Sequence, residues 1–229
     1  MLIASYIDHT FLKATTSRTD IERICTEARQ FQFAAVCIPP PWIGLAKAQT
    51  LGSGVKVATV IGFPFGYSAI TAKLAEMAEV LRDGADEVDM VINLIQLKAG
   101  NWDYLEKEMS PILGLVRKAG KLLKVIIESG SLDDDEIKSC CKIYGDMEVD
   151  YLKTSTGYAE AGASVHQVAL MRALLPPTVK IKASGGIRTY EFARRLIEAG
   201  ASRLGCSASL AIAATEPGQE PAGASLLSR

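Results

Sequence analysis

The chain has 229 residues, with 25 basic and 26 acidic side chains, and 48% of it is hydrophobic, enough to bury a sizeable core. Near-neutral charge without a long run of one sign argues against a nucleic-acid partner, and no apolar stretch approaches the ~18 residues that would cross a bilayer. Five cysteines without a CxxC pair point to a reduced, cytoplasmic protein, and two distant histidines, His9 and His166, are too few for a metal cage. The first residues, Met1 to Asp8, lack a basic region before the apolar run and do not read as a signal peptide.

Short, β-rich apolar runs begin near Tyr6, Ala34, Lys56, Glu87, Leu122, Asp150, Val179 and Arg203, at intervals of 22 to 35 residues. Each is too short for a helix, and they lie too far apart for hairpins. Helical patterns fill the gaps. Ile21, Ile24, Ala28 and Phe31 keep helical spacing behind Thr19-x-x-Glu22, which reads as a capping box. Leu74, Met77 and Leu81 form a second stripe, closed by Gly84. Asp133 to Glu136 place acids at a helix N-terminus, Ile137, Cys140, Cys141 and Tyr144 form its buried face, and Gly145 is read as its end. Phe192, Leu196 and Ala199, followed by Gly200, repeat the pattern. Eight strand–helix units at this length predict a single (β/α)₈ TIM barrel over residues 1–215, favoured over a doubly wound sheet. Residues 216–229, rich in Pro and Gly, read as a flexible tail.

Barrel active sites lie at the C-terminal ends of the strands. Alternation sends Val88, Met90 and Ile92 towards the helices and Asp89 inward; in the seventh strand Val179, Ile181 and Ala183 face out and Lys182 faces in. The sixth strand is less decisive, because Tyr151 and Leu152 are both apolar, but it carries Lys153 at its end. A lysine at a strand end is most often solvated, and an aspartate there is often a cap or an ion-pair partner. Three such residues facing one interior weaken that reading, because burying them without purpose is costly. Two neighbouring ammonium groups disfavour each other's charge, and a neutral lysine attacks carbonyls. Small residues follow both lysines, Thr154-Ser155-Thr156-Gly157 and Ser184-Gly185-Gly186, and loops of this kind cradle phosphate.

The segments Asp8-His9-Thr10, Val60-Ile61-Gly62-Phe63-Pro64, Glu87 to Asn93, Leu152-Lys153-Thr154-Ser155-Thr156-Gly157 and Lys182-Ala183-Ser184-Gly185-Gly186-Ile187-Arg188 resemble the signature segments of deoxyribose-phosphate aldolases, from Ile7 to about Ala211. The resemblance implies a barrel and a class I aldolase, a lyase that needs no metal or other cofactor. Its reaction is the reversible cleavage of 2-deoxy-D-ribose 5-phosphate to acetaldehyde and D-glyceraldehyde 3-phosphate. It also implies that Lys153 forms the Schiff base and that Asp89 and Lys182 move protons, with Asp8 beside them. Asp8, Thr156, Gly157, Gly185, Gly186, Arg188 and Ser207 would contact the substrate, the last five around its phosphate. The expected partner is a small phosphosugar, with no nucleic acid and no membrane, and the expected assembly is a homo-oligomer, a dimer favoured.

Three positions depart from the family's pattern. The chain ends Leu226-Leu227-Ser228-Arg229, without the terminal tyrosine of some members; Ala208 follows Ser207 where a second serine is common; and Ser129 stands where threonine is common. Cys37 and His9 read as a small buried hydrophobe and a loop-holding residue, and Trp42 and Trp102 as packing residues. Two other functions fit the glycine loops: a sugar-phosphate isomerase and a non-catalytic phosphometabolite-binding barrel. Neither has a use for an inward lysine pair.

Overall fold

The computed structural model describes residues 2–216. Its strands are β1 (Ile7–Thr10), β2 (Ala35–Cys37), β3 (Lys56–Ile61), β4 (Glu87–Val91), β5 (Leu122–Ile126), β6 (Tyr151–Lys153), β7 (Lys180–Ser184) and β8 (Arg203–Cys206). All neighbours are parallel, and β8 pairs with β1 to close an eight-stranded barrel. The helices are α1 (Arg18–Phe31), α2 (Ile43–Thr50), α3 (Ile70–Arg82), α4 (Leu94–Lys98), α5 (Trp102–Ala119), α6 (Asp134–Asp146), α7 (Val165–Leu174), α8 (Tyr190–Glu198) and α9 (Ser209–Ala214). Every strand begins within one residue of the start expected from the apolar runs.

The main core lies between strands and helices. Ile7, Val36, Val57, Val88, Met90, Leu123, Val125, Leu152, Ile181, Ala183 and Leu204 leave the barrel on its outer face and pack against helix residues such as Ile21, Ile24, Met77, Ile112, Ile137 and Leu196. The barrel interior is divided. On the β2–β3 side it holds a small apolar cluster of Ala35, Cys37, Ala58 and Val60. The remaining strands fill it with charge.

Three helix details differ from the expected pattern. The capping box of α1 is formed by Ser17 and Asp20, two residues before the expected pair, and Thr19 already lies inside the helix. The Ser17 side chain accepts from the Asp20 N–H while the Asp20 carboxylate accepts from the Ser17 N–H, so both helix-end donors are satisfied there. Gly145 does not end α6, which runs on to Asp146; a Cβ at Gly145 would stand 3.1 Å from Pro176, so the glycine permits close packing instead. In α3 the fully buried positions are Lys73, Met77 and Val80, with Leu74 and Leu81 only half-buried. Lys73 donates to Glu108 Oε1 at 2.8 Å and to Val91 O at 2.7 Å, and Glu108 Oε2 accepts the Asn93 N–H at 3.1 Å. A buried ion pair outside the barrel thus anchors the end of β4.

Glu216 is buried and accepts the Ile3 N–H at 3.1 Å, so it belongs to the packed body rather than to a tail. The rest of the expected tail, residues 217–229, lies outside the described residues. Among the described residues no helix is long and apolar enough to cross a membrane, and all five cysteines are unpaired and buried.

Candidate active site

Strand register assembles the interior charges. Asp89 lies beside Lys124 across β4–β5, Lys153 beside Lys182 across β6–β7, and Lys182 beside Arg203 across β7–β8. Asp89 is the hub. Its Oδ2 accepts from Lys153 Nζ at 2.8 Å and from Lys182 Nζ at 2.7 Å, and its Oδ1 accepts from Lys124 Nζ at 2.8 Å. Asp8 accepts from Lys182 at 2.5 Å and from Arg203 at 2.7 Å. Glu87 closes the base of the network, 2.6 Å from Lys124 and 3.3 Å from Arg203. Gly205 makes room for this: a Cβ there would meet Ser184 Cβ at 2.8 Å and Lys182 Cε at 3.1 Å.

The hydrogen-bonded network holds three carboxylates, Asp8, Glu87 and Asp89, against four cations, Lys124, Lys153, Lys182 and Arg203. One positive charge is in excess if every group is ionised, and buried uncompensated charge is expensive. The network balances when one lysine is neutral. Burial would push Lys182 down, but Asp8 and Asp89 outweigh it and hold its ammonium well above the usual lysine value. Lys124 is raised in the same way, its burial outweighed by Asp89, Glu87 and Asp8. Lys153 moves in the opposite direction: burial lowers it most, Asp89 opposes this, and the Lys182 charge lowers it further. The carboxyls of Asp89 and Asp8, for which burial alone would favour the neutral acid, are held below the usual carboxylate range by the surrounding cations. Of the three lysines in the network, Lys153 is the one whose ammonium form its surroundings disfavour.

Above the network a cavity of about 530 Å³ opens at the C-terminal ends of the strands. Lys153, only 3% exposed, is the one lysine of the network in its lining; Lys182 and Lys124 are wholly buried below. Thr156, Gly157, Gly185, Gly186, Arg188 and Ser207 all line this cavity. Asp8 does not; it belongs to the ionic network, beneath the floor. The loops after β6 and β7 form one wall because Gly162 sits against Gly185, where a Cβ on Gly162 would be 2.2 Å from the Gly185 carbonyl oxygen. The cavity lining contains four basic side chains, Lys13, Arg23, Lys153 and Arg188, and no carboxylate.

Several site residues escaped the sequence reading. Lys124 was findable, since Leu123, Val125 and Ile127 alternate outward and leave Lys124 inward. Arg203 and Glu87 obey the same rule on β8 and β4. Glu128, buried and with a left-handed backbone at φ 50°, follows β5; its carboxylate accepts the Thr156 N–H at 3.1 Å and the Thr156 hydroxyl at 2.5 Å. Tyr158 spans the mouth: its hydroxyl donates to Leu12 O at 2.7 Å and its ring meets Phe63 edge-on at 5.4 Å. No local pattern marks these two. Of the residues given other roles, His9 points away from the barrel interior to Ser209 (2.9 Å) and Glu27 (2.7 Å), tying β1 to α9 and α1. Cys37 is buried in the inner apolar cluster, and burial raises its thiol. Trp42 packs at the start of α2 and donates to Thr16 O, and Ser129 is held by Gln167. Ala208, at the N-cap of α9, makes no side-chain cap. Among the described residues no group of three or more His, Cys, Asp or Glu side chains could hold a metal ion.

Residues 2–215 match the family model described as DeoC/LacD family aldolase. The chain is 47% identical over 211 residues to the deoxyribose-phosphate aldolase of Caldicellulosiruptor saccharolyticus, covering 92% of this chain and 96% of the relative. It is 44% identical over 213 residues to that of Caldanaerobacter subterraneus subsp. tengcongensis, covering 93% and 92%. Its backbone superposes with a TM-score of 0.85 on the tetrameric deoxyribose phosphate aldolase of Aeropyrum pernix, at 31% identity and covering 93% and 89% of the two chains.

Proposed function

The chain belongs to the DeoC/LacD family of aldolases, and on that premise we propose that the cavity above Asp89 is its active site, with Lys153 as the Schiff-base lysine. The enzyme is a lyase. It reversibly cleaves 2-deoxy-D-ribose 5-phosphate to acetaldehyde and D-glyceraldehyde 3-phosphate, a step in deoxyribonucleoside breakdown. One observation carries the choice of lysine: Lys153 alone joins the buried network to the cavity, and its amine is the one pushed towards neutrality.

Neutral Lys153 adds to the C1 carbonyl of the sugar, and loss of water gives an iminium. Removal of the C3 hydroxyl proton lets the C2–C3 bond break, with its electron pair held as an enamine. Protonation at C2 and hydrolysis release acetaldehyde and restore the amine. Asp89 Oδ2, shared by Lys153 and Lys182, is the relay for these protons, and Lys182, with Asp8 behind it, returns them. Gly157, Gly185, Gly186, Arg188 and Ser207 hold the phosphorylated end of the substrate, through backbone N–H groups, a hydroxyl and the guanidinium, while Thr156, its donors held by Glu128, lines the cavity beside them. The cationic, carboxylate-free lining suits that anion.

Borohydride reduction with acetaldehyde present tests the assignment. A two-carbon mass should appear on the peptide carrying Lys153; a label on Lys182 would reverse the lysine roles, and no label would remove the covalent step. Phosphate recognition has its own test. Unphosphorylated 2-deoxyribose should show a kcat/KM lower by at least ~10²-fold, because each charge-assisted hydrogen bond is worth about 1.5–3 kcal/mol. Equal efficiency on both sugars would remove the phosphate pocket from this scheme. The unpaired cysteines suit a reducing compartment, and the cytoplasm is the proposed location. A homo-oligomer is the proposed assembly, with a dimer favoured from the sequence; the Aeropyrum pernix relative is described as tetrameric.

A further inference from the structure

Four basic side chains line the cavity, and two already have an assignment. Lys153 is the nucleophile at the floor. Arg23 is paired with Glu27 at 3.0 Å and lies 3.8 Å from Asp20. Arg188 and Lys13 remain, and neither has an ion-pair partner within 4 Å among the described residues, although Lys13 lies close enough to Asp20, whose carboxyl the hydrogen bonds from Ser17 lower most, to lower it slightly further. The Lys13 ammonium rests over the Phe11 ring, 5.4 Å from its centroid, and Arg23 also lies 5.4 Å from that centroid. A cation over an aromatic face is held in place without being neutralised. Lys13 is thus kept at the cavity wall with its charge available.

Topology sets where that charge stands. Because β8 pairs with both β7 and β1, the loops carrying Arg188, Ser207 and Lys13 follow one another around the rim, with Ser207 in the middle. A phosphate monoester carries close to two negative charges at pH 7. One guanidinium balances half of that. Ala208, beside Ser207, adds neither charge nor a hydroxyl donor there.

We infer that Lys13 is the second cation of the phosphate site, engaging the substrate's phosphate from the β1 side of Ser207 while Arg188 engages it from the β7 side. This rests on the phosphate reading of the cavity given above. The phosphate withdraws the ammonium from Phe11, and the ring receives it again when product leaves.

Steady-state kinetics on 2-deoxyribose 5-phosphate and on 2-deoxyribose test this, with the wild type, Lys13→Met, Lys13→Arg and Arg188→Met. In Lys13→Met the KM for the phosphosugar should rise about 10- to 100-fold, with a much smaller change in kcat. The ratio of kcat/KM between the two sugars should fall by the same factor, and Lys13→Arg should restore most of it. An equal loss on both sugars would make Lys13 a structural residue and overturn the inference. So would a KM unaffected by Lys13→Met, or a loss that arginine does not restore. If Arg188→Met alone collapses the ratio, Lys13 is wrong and the phosphate pocket stands; if the wild type handles both sugars equally, the pocket itself falls.

Discussion

Asp89→Asn should leave borohydride trapping of acetaldehyde on Lys153 largely intact while the cleavage kcat falls by ~10²–10⁴-fold, the range typical of a lost general acid–base group. The reason lies in the charge balance of the barrel interior. Without the Asp89 charge, two carboxylates, Asp8 and Glu87, face Lys124, Lys182 and Arg203 before Lys153 is counted. That excess disfavours protonation of Lys153, so the nucleophile stays neutral and still attacks. What is lost is the acceptor shared at 2.8 and 2.7 Å by Lys153 and Lys182. An amide offers one oxygen and no second acceptor, so the proton route between C3, C2 and the lysines is cut. Stability should fall as well, by roughly 3–5 kcal/mol, because Lys124 and Lys182 keep buried charges with less compensation; thermal unfolding measures that cost. Loss of trapping in a folded variant would show that Asp89 is needed for Schiff-base formation itself. A kcat within tenfold of wild type would remove Asp89 from the relay.

The strands and the direction of their side chains were legible because both depend on a local, two-residue period. Asp89 and Lys182 follow from it directly. β6 resisted because Tyr151 is inward as well as apolar: it lies beneath Lys153 on the same face, with Lys180 and Arg203 over its ring at 5.7 and 5.8 Å. An apolar residue that serves as a platform for cations breaks the assumption that apolar means outward. Partners were not legible, since Asp89 meets Lys124 and Lys182 meets Asp8 only through sheet order and barrel closure. The hold of Glu128 on Thr156 was hidden for the same reason, because it joins loops 28 residues apart. The α1 capping box was misplaced by two residues because Thr19-x-x-Glu22 and Ser17-x-x-Asp20 offer similar chemistry, and the pair with both reciprocal bonds formed is the earlier one. The Pro- and Gly-rich neighbours of Glu216 make it look like tail, yet it is buried and its carboxylate accepts the Ile3 N–H.

Lys182→Met should slow trapping at neutral pH and move its optimum to higher pH. Burial is the main force lowering Lys153, and the Lys182 charge adds to it, while Asp89 opposes both. Methionine keeps the bulk and the burial but removes the neighbouring charge. The balance then reverses. Asp8, Glu87 and Asp89 face only Lys124 and Arg203, so the network lacks one positive charge unless Lys153 keeps its proton. The sign follows: a lowered value leaves more free amine at pH 7, and raising it leaves less. Only the free amine attacks, so each unit of upward shift costs about tenfold in trapping rate while pH stays below the new value. The rate should therefore climb with pH in the variant over a range where the wild type has already levelled off. Asp89→Asn should show no such displacement, since it alters the charge balance in the opposite sense. The two variants together separate charge from proton carriage, because both lose a member of the relay but only one should lose the neutral lysine. If Lys182→Met traps acetaldehyde as fast as wild type at pH 7, burial alone sets the state of Lys153, and Lys182 serves only to carry protons.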